Sequence, residues 1–184
     1  MNKKNTAIFV LATIGVILFV TVYGILLPRM EREDQVYAAQ QTDPLTHNIE
    51  ESIRYKNKYM GNAGNLSGLI HSLPLGNIES ELELFPDTLT ANILYKSSTA
   101  DITPELMERS LIYNATATFA LIDNLQEIRY TFSDLSYVVS REDVEMWQGQ
   151  ADSPLINSPN KWRTEFQSKL EDSKYVDMGM KTLF

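Results

Sequence analysis

No cysteine occurs anywhere in the chain. Disulfides and thiol chemistry are therefore excluded, and so is anchoring as a bacterial lipoprotein, because that route needs a cysteine to carry the lipid. The compartment is left open, since many exported bacterial domains lack disulfides. Histidine is scarce, with His47 and His71 the only two. A Ser-His-Asp triad or an imidazole metal site would have to use one of them. Neither stands beside nucleophile-elbow glycines or a close second ligand. Positive charge is also in short supply, with 16 basic residues against 24 acidic ones. Only Lys3 and Lys4 of the basic residues precede residue 29, and no acid does. The 156 residues after Pro28 thus hold 14 basic and 24 acidic side chains, a net charge of −10. Such a segment is unsuited to nucleic acid, whose phosphates want Lys and Arg, and is repelled by an anionic lipid surface. Low-complexity tracts are absent outside residues 29–48, which are charged, Gln-rich and broken by Pro44.

What the chain does have is an uncharged run from Ala7 to Leu27, twenty-one residues long. As a helix it would span about 30 Å, the thickness of a bilayer's hydrocarbon core. Only Thr13, Thr21 and Tyr23 carry polar groups within it. A threonine hydroxyl in a helix can bond back to a backbone carbonyl, and Tyr23 falls at headgroup depth. Pro28 marks the exit. A cleaved signal peptide is the competing reading, but its apolar core is shorter, about 7–15 residues, with a small-residue cleavage site close behind. Here the only plausible site, Val36-Tyr37-Ala38, lies eleven residues beyond Leu27, with charges between. An uncleaved anchor is the expectation. Basic residues on the two flanks nearly tie, and the free amine tips the balance to an inside N-terminus. The organisation expected is a cytoplasmic tail at 1–6, a transmembrane helix at 7–27, a juxtamembrane linker at 28–48 and an extracytoplasmic domain at 49–184. Membrane lipid along residues 7–27 and a protein partner at the cell surface are the expected partners, with no nucleic acid.

The domain reads as alternating helices and hairpins. Leu66, Leu69, Ile70 and Leu73 predict a short helix over 62–73, with Asn62 or Asn65 as its cap and Pro74 and Gly76 ending it. From Ile78 to Phe85 apolar residues alternate with Glu79, Glu81 and Glu83, a half-buried strand with a solvated acidic face. Pro86-Asp87-Thr88 supplies a turn into a second alternating run from Leu89 to Lys96. Thr103-Pro104-Glu105 opens a long helix reaching about Leu125, with a capping hydroxyl, a first-turn proline and an early acid. Its two apolar stripes imply a central, largely buried helix. Glu127–Phe132 and Leu135–Val139 form a second hairpin. Ser140 caps a further short helix ending near Gly149. Another helix opens at Ser158-Pro159 and carries Trp162, Phe166 and Leu170, and a last one covers 173–181. Strands joined this way are expected to pair antiparallel. The fold expected is α+β, an N-terminal transmembrane helix followed by a two-layer domain with a four-stranded antiparallel sheet and helices packed on one face.

From Tyr55 the chain reads YKNKYMGNAGNLSGLIHSLPLGNI, and from Leu111 to Phe132 LIYNATATFALIDNLQEIRYTF. A YxGN segment, a following LPL and a late FALIDN helix, in that order, resemble the uncharacterised family called domain of unknown function 4825, over about residues 50–175. That resemblance implies a bacterial protein, mostly of Gram-positive lineages, held to the membrane by a lipid or one helix. Some members carry the domain behind a membrane metallopeptidase of the antibiotic-sensor type. This chain has neither the lipid-accepting cysteine nor the His-Glu-x-x-His of such a peptidase, so no peptidase activity carries over.

Tyr59, Gly61 and Asn62 form the most distinctive local cluster. It reads first as a turn, with Gly61 in a backbone conformation that other residues avoid and Asn62 capping a helix. As a binding loop it would present Tyr59 and Asn62 to a ligand. Asp123 and Asn124 close the long helix and are the other candidate binding residues. The Glu79, Glu81 and Glu83 row is flat, whereas calcium wants six or more converging oxygens, so a charge-defended strand is the better reading. Trp147, Trp162 and Phe166 are expected in the core rather than in a sugar platform. No catalytic residue, metal site or cofactor is assigned. The function expected is a membrane-anchored extracytoplasmic interaction or sensory domain without catalysis. The alternative is a surface hydrolase acting on cell-wall polymer through carboxylates that the sequence does not single out.

Overall fold

A computed structural model describes residues 3–149 and 155–184. The chain divides into two units, one ending at Gln40 and the other running from Gln41 to Phe184. Helix α1 (Lys3–Thr21) passes through a π turn (Val22–Leu26) into α2 (Leu27–Thr42). Pro28 directly follows the π turn and its cap Leu27, whose N–H bonds to the Val22 carbonyl, and the helix continues through the proline instead of stopping there. Over Leu11–Thr42 it is long and apolar enough to cross a membrane, as a signal sequence would also be. Thr21 Oγ1 donates to the Ile17 carbonyl at 2.8 Å, which satisfies that hydroxyl within the helix.

The second unit is α+β. After α3 (Glu50–Ile53) and α4 (Ala63–Ser72) come β1 (Ser80–Phe85), β2 (Thr90–Tyr95), α5 (Pro104–Leu121), β3 (Glu127–Thr131), β4 (Ser136–Ser140) and α6 (Arg141–Gln148). The chain finishes with α7 (Pro159–Lys161), a π turn (Trp162–Phe166), a 3₁₀ segment (Gln167–Glu171) and α8 (Ser173–Leu183). The four strands lie in the order β1-β2-β3-β4.

Both hairpins are antiparallel, but the central β2–β3 pairing is parallel, with Ile93 opposite Tyr130. The expectation of an all-antiparallel sheet is corrected at this pairing. A parallel pair needs a crossover connection, usually helical, and α5 is that crossover. Its broad apolar surface lies in the same buried core as one face of the sheet. Across that face run the rows Leu82, Ile93, Tyr130, Tyr137 and Leu84, Ala91, Ile128, Val139. The opposite face carries Glu83, Asn92, Arg129 and Val138 in one row, linked by Asn92 donating to Glu83 and Thr131 donating to Asn92. Strand period two thus puts the oily rows under the helices and the polar rows in water.

Helix α5 is buried over most of its length, from Met107 to Leu121. Its start is made by Pro104 and the Met107 N–H bond to the Thr103 carbonyl, while the Thr103 hydroxyl caps nothing. It ends at Leu121, short of Leu125, because Ile122 turns extended and bridges to Asn57. Asn62 caps α4 by accepting from the Asn65 N–H, and Ser140 caps α6 by accepting from the Asp143 N–H. Gly76 is required by packing, since a Cβ there would collide with the His71 carbonyl. Trp162, Phe166 and Leu170 are all in the core.

Candidate functional site

The sequence-named residues converge at the C-terminal end of α5. Asn57 N–H donates to the Leu121 carbonyl at 2.8 Å, and Asp123 N–H returns a bond to the Asn57 carbonyl at 3.0 Å. Asn124 Oδ1 accepts from the Met60 N–H at 2.7 Å. The loop holding Tyr59, Gly61 and Asn62 is thus pinned to the segment holding Asp123 and Asn124, sixty-four residues further on in the case of the Met60–Asn124 bond. Asn57 and Asn62 shape the loop by accepting from the N–H of Tyr59 and of Asn65. Tyr59 projects into solvent, 59% exposed, with Lys58 over its ring.

Gly61 departs from expectation. Its φ is not positive, and a Cβ added there would meet nothing within 4 Å. The two asparagine side chains make the turn, so a glycine is not needed for it.

Asp123 stands at the rim of a cavity of about 470 Å³ between α5 and α6. Phe119, Val144, Leu155, Ile156 and Trp162 provide its apolar wall, and Asp123, Arg141, Glu145 and Gln148 its polar edge. Arg141 is already committed. Its Nε donates to the Leu125 carbonyl at 2.7 Å and its Nη2 to the Ile122 carbonyl at 2.6 Å. The guanidinium also lies 5.2 Å from the Phe119 ring centroid and 3.4 Å from Glu145. It therefore satisfies two carbonyls of the segment just past α5, and it brings positive charge near that helix's C-terminus, which favours it. Thr116 is among its lining residues, but its Oγ1 is buried and finds no hydrogen-bond partner among the described residues. The cavity can hold an apolar body and offers it a carboxylate at the edge.

The other candidates separate. Glu79 and Glu81 both pair with Lys96, at 2.8 and 3.1 Å; the Lys96 hydrogen bond holds the Glu79 carboxyl below its ordinary range. His71 is exposed and bonds through Nδ1 to the Ser67 carbonyl of its own helix.

His47 is part of the core and not of a linker. Its Nε2 bonds to the Ser72 carbonyl at 2.7 Å and its Nδ1 to the Tyr113 hydroxyl at 2.8 Å. A carbonyl only accepts, so Nε2 carries the proton, Nδ1 accepts from Tyr113, and Tyr113 accepts from Trp162 Nε1 at 3.0 Å. Gln167 closes the chain over it by donating to the carbonyls of Pro44 and His47. Burial lowers the His47 pKa, against the opposing pull of the Ser72 bond. This relay is a buried structural lock, formed between residues scattered over the sequence. Sequence reading missed it, as it missed Thr116, Arg141 and Glu145 at the cavity. A basic residue just after a hairpin, directly before two acids, was the only local signal for Arg141.

Residues 53–141 match the family model described as Domain of unknown function (DUF4825). The match spans α4, both hairpins and α5, and it includes Tyr59, Gly61, Asn62, Asp123 and Asn124. No curated protein matches the chain, and no solved structure does.

Proposed function

The chain carries a DUF4825 domain behind an apolar helix, and from that premise we propose a membrane-anchored interaction or sensory domain that works outside the cytoplasm without catalysis. The cavity at the end of α5 carries this reading. Its wall is apolar, and its single guanidinium is occupied by backbone carbonyls, an arrangement suited to holding a ligand or a partner's side chain. The anchor would keep that capture beside the membrane. The N-terminus would lie inside, and the bacterial origin implied by the family resemblance belongs to the same proposal, as does a partner at the cell surface. Protease treatment of intact cells tests the placement. Loss of the domain together with a known surface protein is expected, and survival of the domain while that surface protein is clipped would defeat it.

One observation favours a second reading, a surface hydrolase of cell-wall polymer. Asp123 and Glu145 line the same cavity, and glycoside hydrolysis uses two carboxylates. The environment argues against it. A general acid is held protonated by apolar enclosure, whereas the Glu145 side chain is 65% exposed and lies beside Arg141. Release of soluble fragments from purified cell wall by the wild type, abolished in Asp123→Asn or Glu145→Gln, would establish the hydrolase.

A further inference from the structure

The two edges of the sheet are built differently. In the β3–β4 ladder, Phe132 N–H donates to the Leu135 carbonyl and Arg141 N–H to the Gln126 carbonyl. With the register given, the hydrogen-bonded pairs are Tyr130–Tyr137 and Ile128–Val139. Ser136 and Val138 therefore turn their N–H and C=O outward, to an edge that no strand among the described residues covers. Leu135, Ser136 and Val138 are all exposed. No charged residue occurs from Leu135 to Ser140, and no proline interrupts the strand. The β1 edge, by contrast, is defended by Glu79, Glu81 and Glu83. An uncharged, β-branched edge with free backbone groups is the sheet feature most ready to take another strand.

Charge identifies the occupant. Acids bracket β4, with Asp134 before it and Glu142 and Asp143 after it, while Arg141 between strand and acids is engaged by the Leu125 and Ile122 carbonyls, in a domain that is strongly acidic overall. Asp134 is held ionised by hydrogen bonds from Thr99. A second copy pairing antiparallel about Val138 would bring the Asp134 end of each chain against the Glu142 end of the other, and like charges opposed across strands are destabilising. We propose that the open edge of β4 takes up an extended segment of a partner protein, uncharged and β-branched in its centre and basic at both ends. The proposal rests on the interaction reading above and names the partner's chemistry.

The probe is a fluorescein-labelled peptide of about nine residues, alternating threonine and valine with a lysine at each end, long enough to match one strand and its flanks. It is titrated by anisotropy against the full chain in detergent micelles. Saturable binding is expected, weakened by about tenfold or more when the end lysines become glutamates and when alternate peptide nitrogens are methylated. Val138→Pro removes only an outward N–H, leaving the ladder to β3 in place, and is expected to lose binding. The peptide variants carry the test even if that substitution disturbs the strand. No binding, or equal binding by the methylated peptide, overturns the proposal, as does self-association of the chain that Val138→Pro abolishes. A photocrosslinker placed in cells at position 138 or at position 148 separates the two levels. Adducts from 148 alone would remove the edge proposal and leave the interaction reading, whereas adducts from neither would remove both.

Discussion

Replacing Tyr113 by Phe deletes one oxygen atom and keeps every ring contact. The ring packs edge-on against Trp162, with centroids 5.3 Å apart, and against His47 at 5.2 Å. The lost hydroxyl serves two groups at once, as donor to His47 Nδ1 and acceptor for Trp162 Nε1. Both partners are at most 1% exposed, so water cannot replace it. A buried polar group left unpaired costs about 1–3 kcal/mol, so the substitution is expected to destabilise by about 2–6 kcal/mol. Domains are stable by only about 5–15 kcal/mol, so the loss is a large share of the total. The assay is urea unfolding of the full chain in detergent micelles. Tryptophan fluorescence serves as the probe, because Trp162 is buried beside the change and Trp147 is the one other tryptophan. A shift of the midpoint without a change in slope is expected. A loss under about 0.5 kcal/mol, the range of ordinary surface substitutions, would refute the relay.

The same relay sets a pH dependence. The folded pKa of His47 is depressed below the unfolded value of about 6.5, so the unfolded chain binds the proton first. Stability should therefore hold above about pH 6.5 and fall as pH drops below it, by up to about 1.4 kcal/mol per pH unit; His47→Gln should flatten that limb of an unfolding-versus-pH curve. Gly76→Ala should destabilise by about 2 kcal/mol or more, because its Cβ would press on the His71 carbonyl. Gly61→Ala should stay within about 0.5 kcal/mol, because its Cβ has open space; thermal melts of the two variants, compared side by side, decide the matter. Asn124→Ala should cost about 1–3 kcal/mol by stranding the Met60 N–H, and faster hydrogen exchange in residues 57–62 would report the released loop.

Length and periodicity of the apolar pattern were enough to read the membrane-length helix, the two hairpins, the buried α5 and the caps at Asn62 and Ser140. Each depends on interactions between residues a few positions apart, which the chain order itself records. The faces of the strands were legible for the same reason, since a two-residue period assigns Leu82 and Glu83 to opposite sides whatever the strand's neighbours. The parallel β2–β3 pairing was not legible. Local pattern does not tell a helix that returns the chain to the same end of the sheet from one that leaves it at the other.

The candidate site shows the same division. Tyr59, Gly61, Asn62, Asp123 and Asn124 could be named from their local motifs, but only the folded chain joins them, through the Asn57–Asp123 bridge and the Met60–Asn124 bond. Reading Gly61 as a conformational necessity failed because the turn is held by asparagine side chains. His47 looked like a linker residue because its partners, Ser72, Tyr113 and Gln167, lie up to 120 positions away. Composition and short-range order therefore settled what each segment would be. Which buried donors found acceptors, which carboxylates shared a cavity and which strand edge stayed open were decided by packing, because those contacts exist only once distant segments exclude water together.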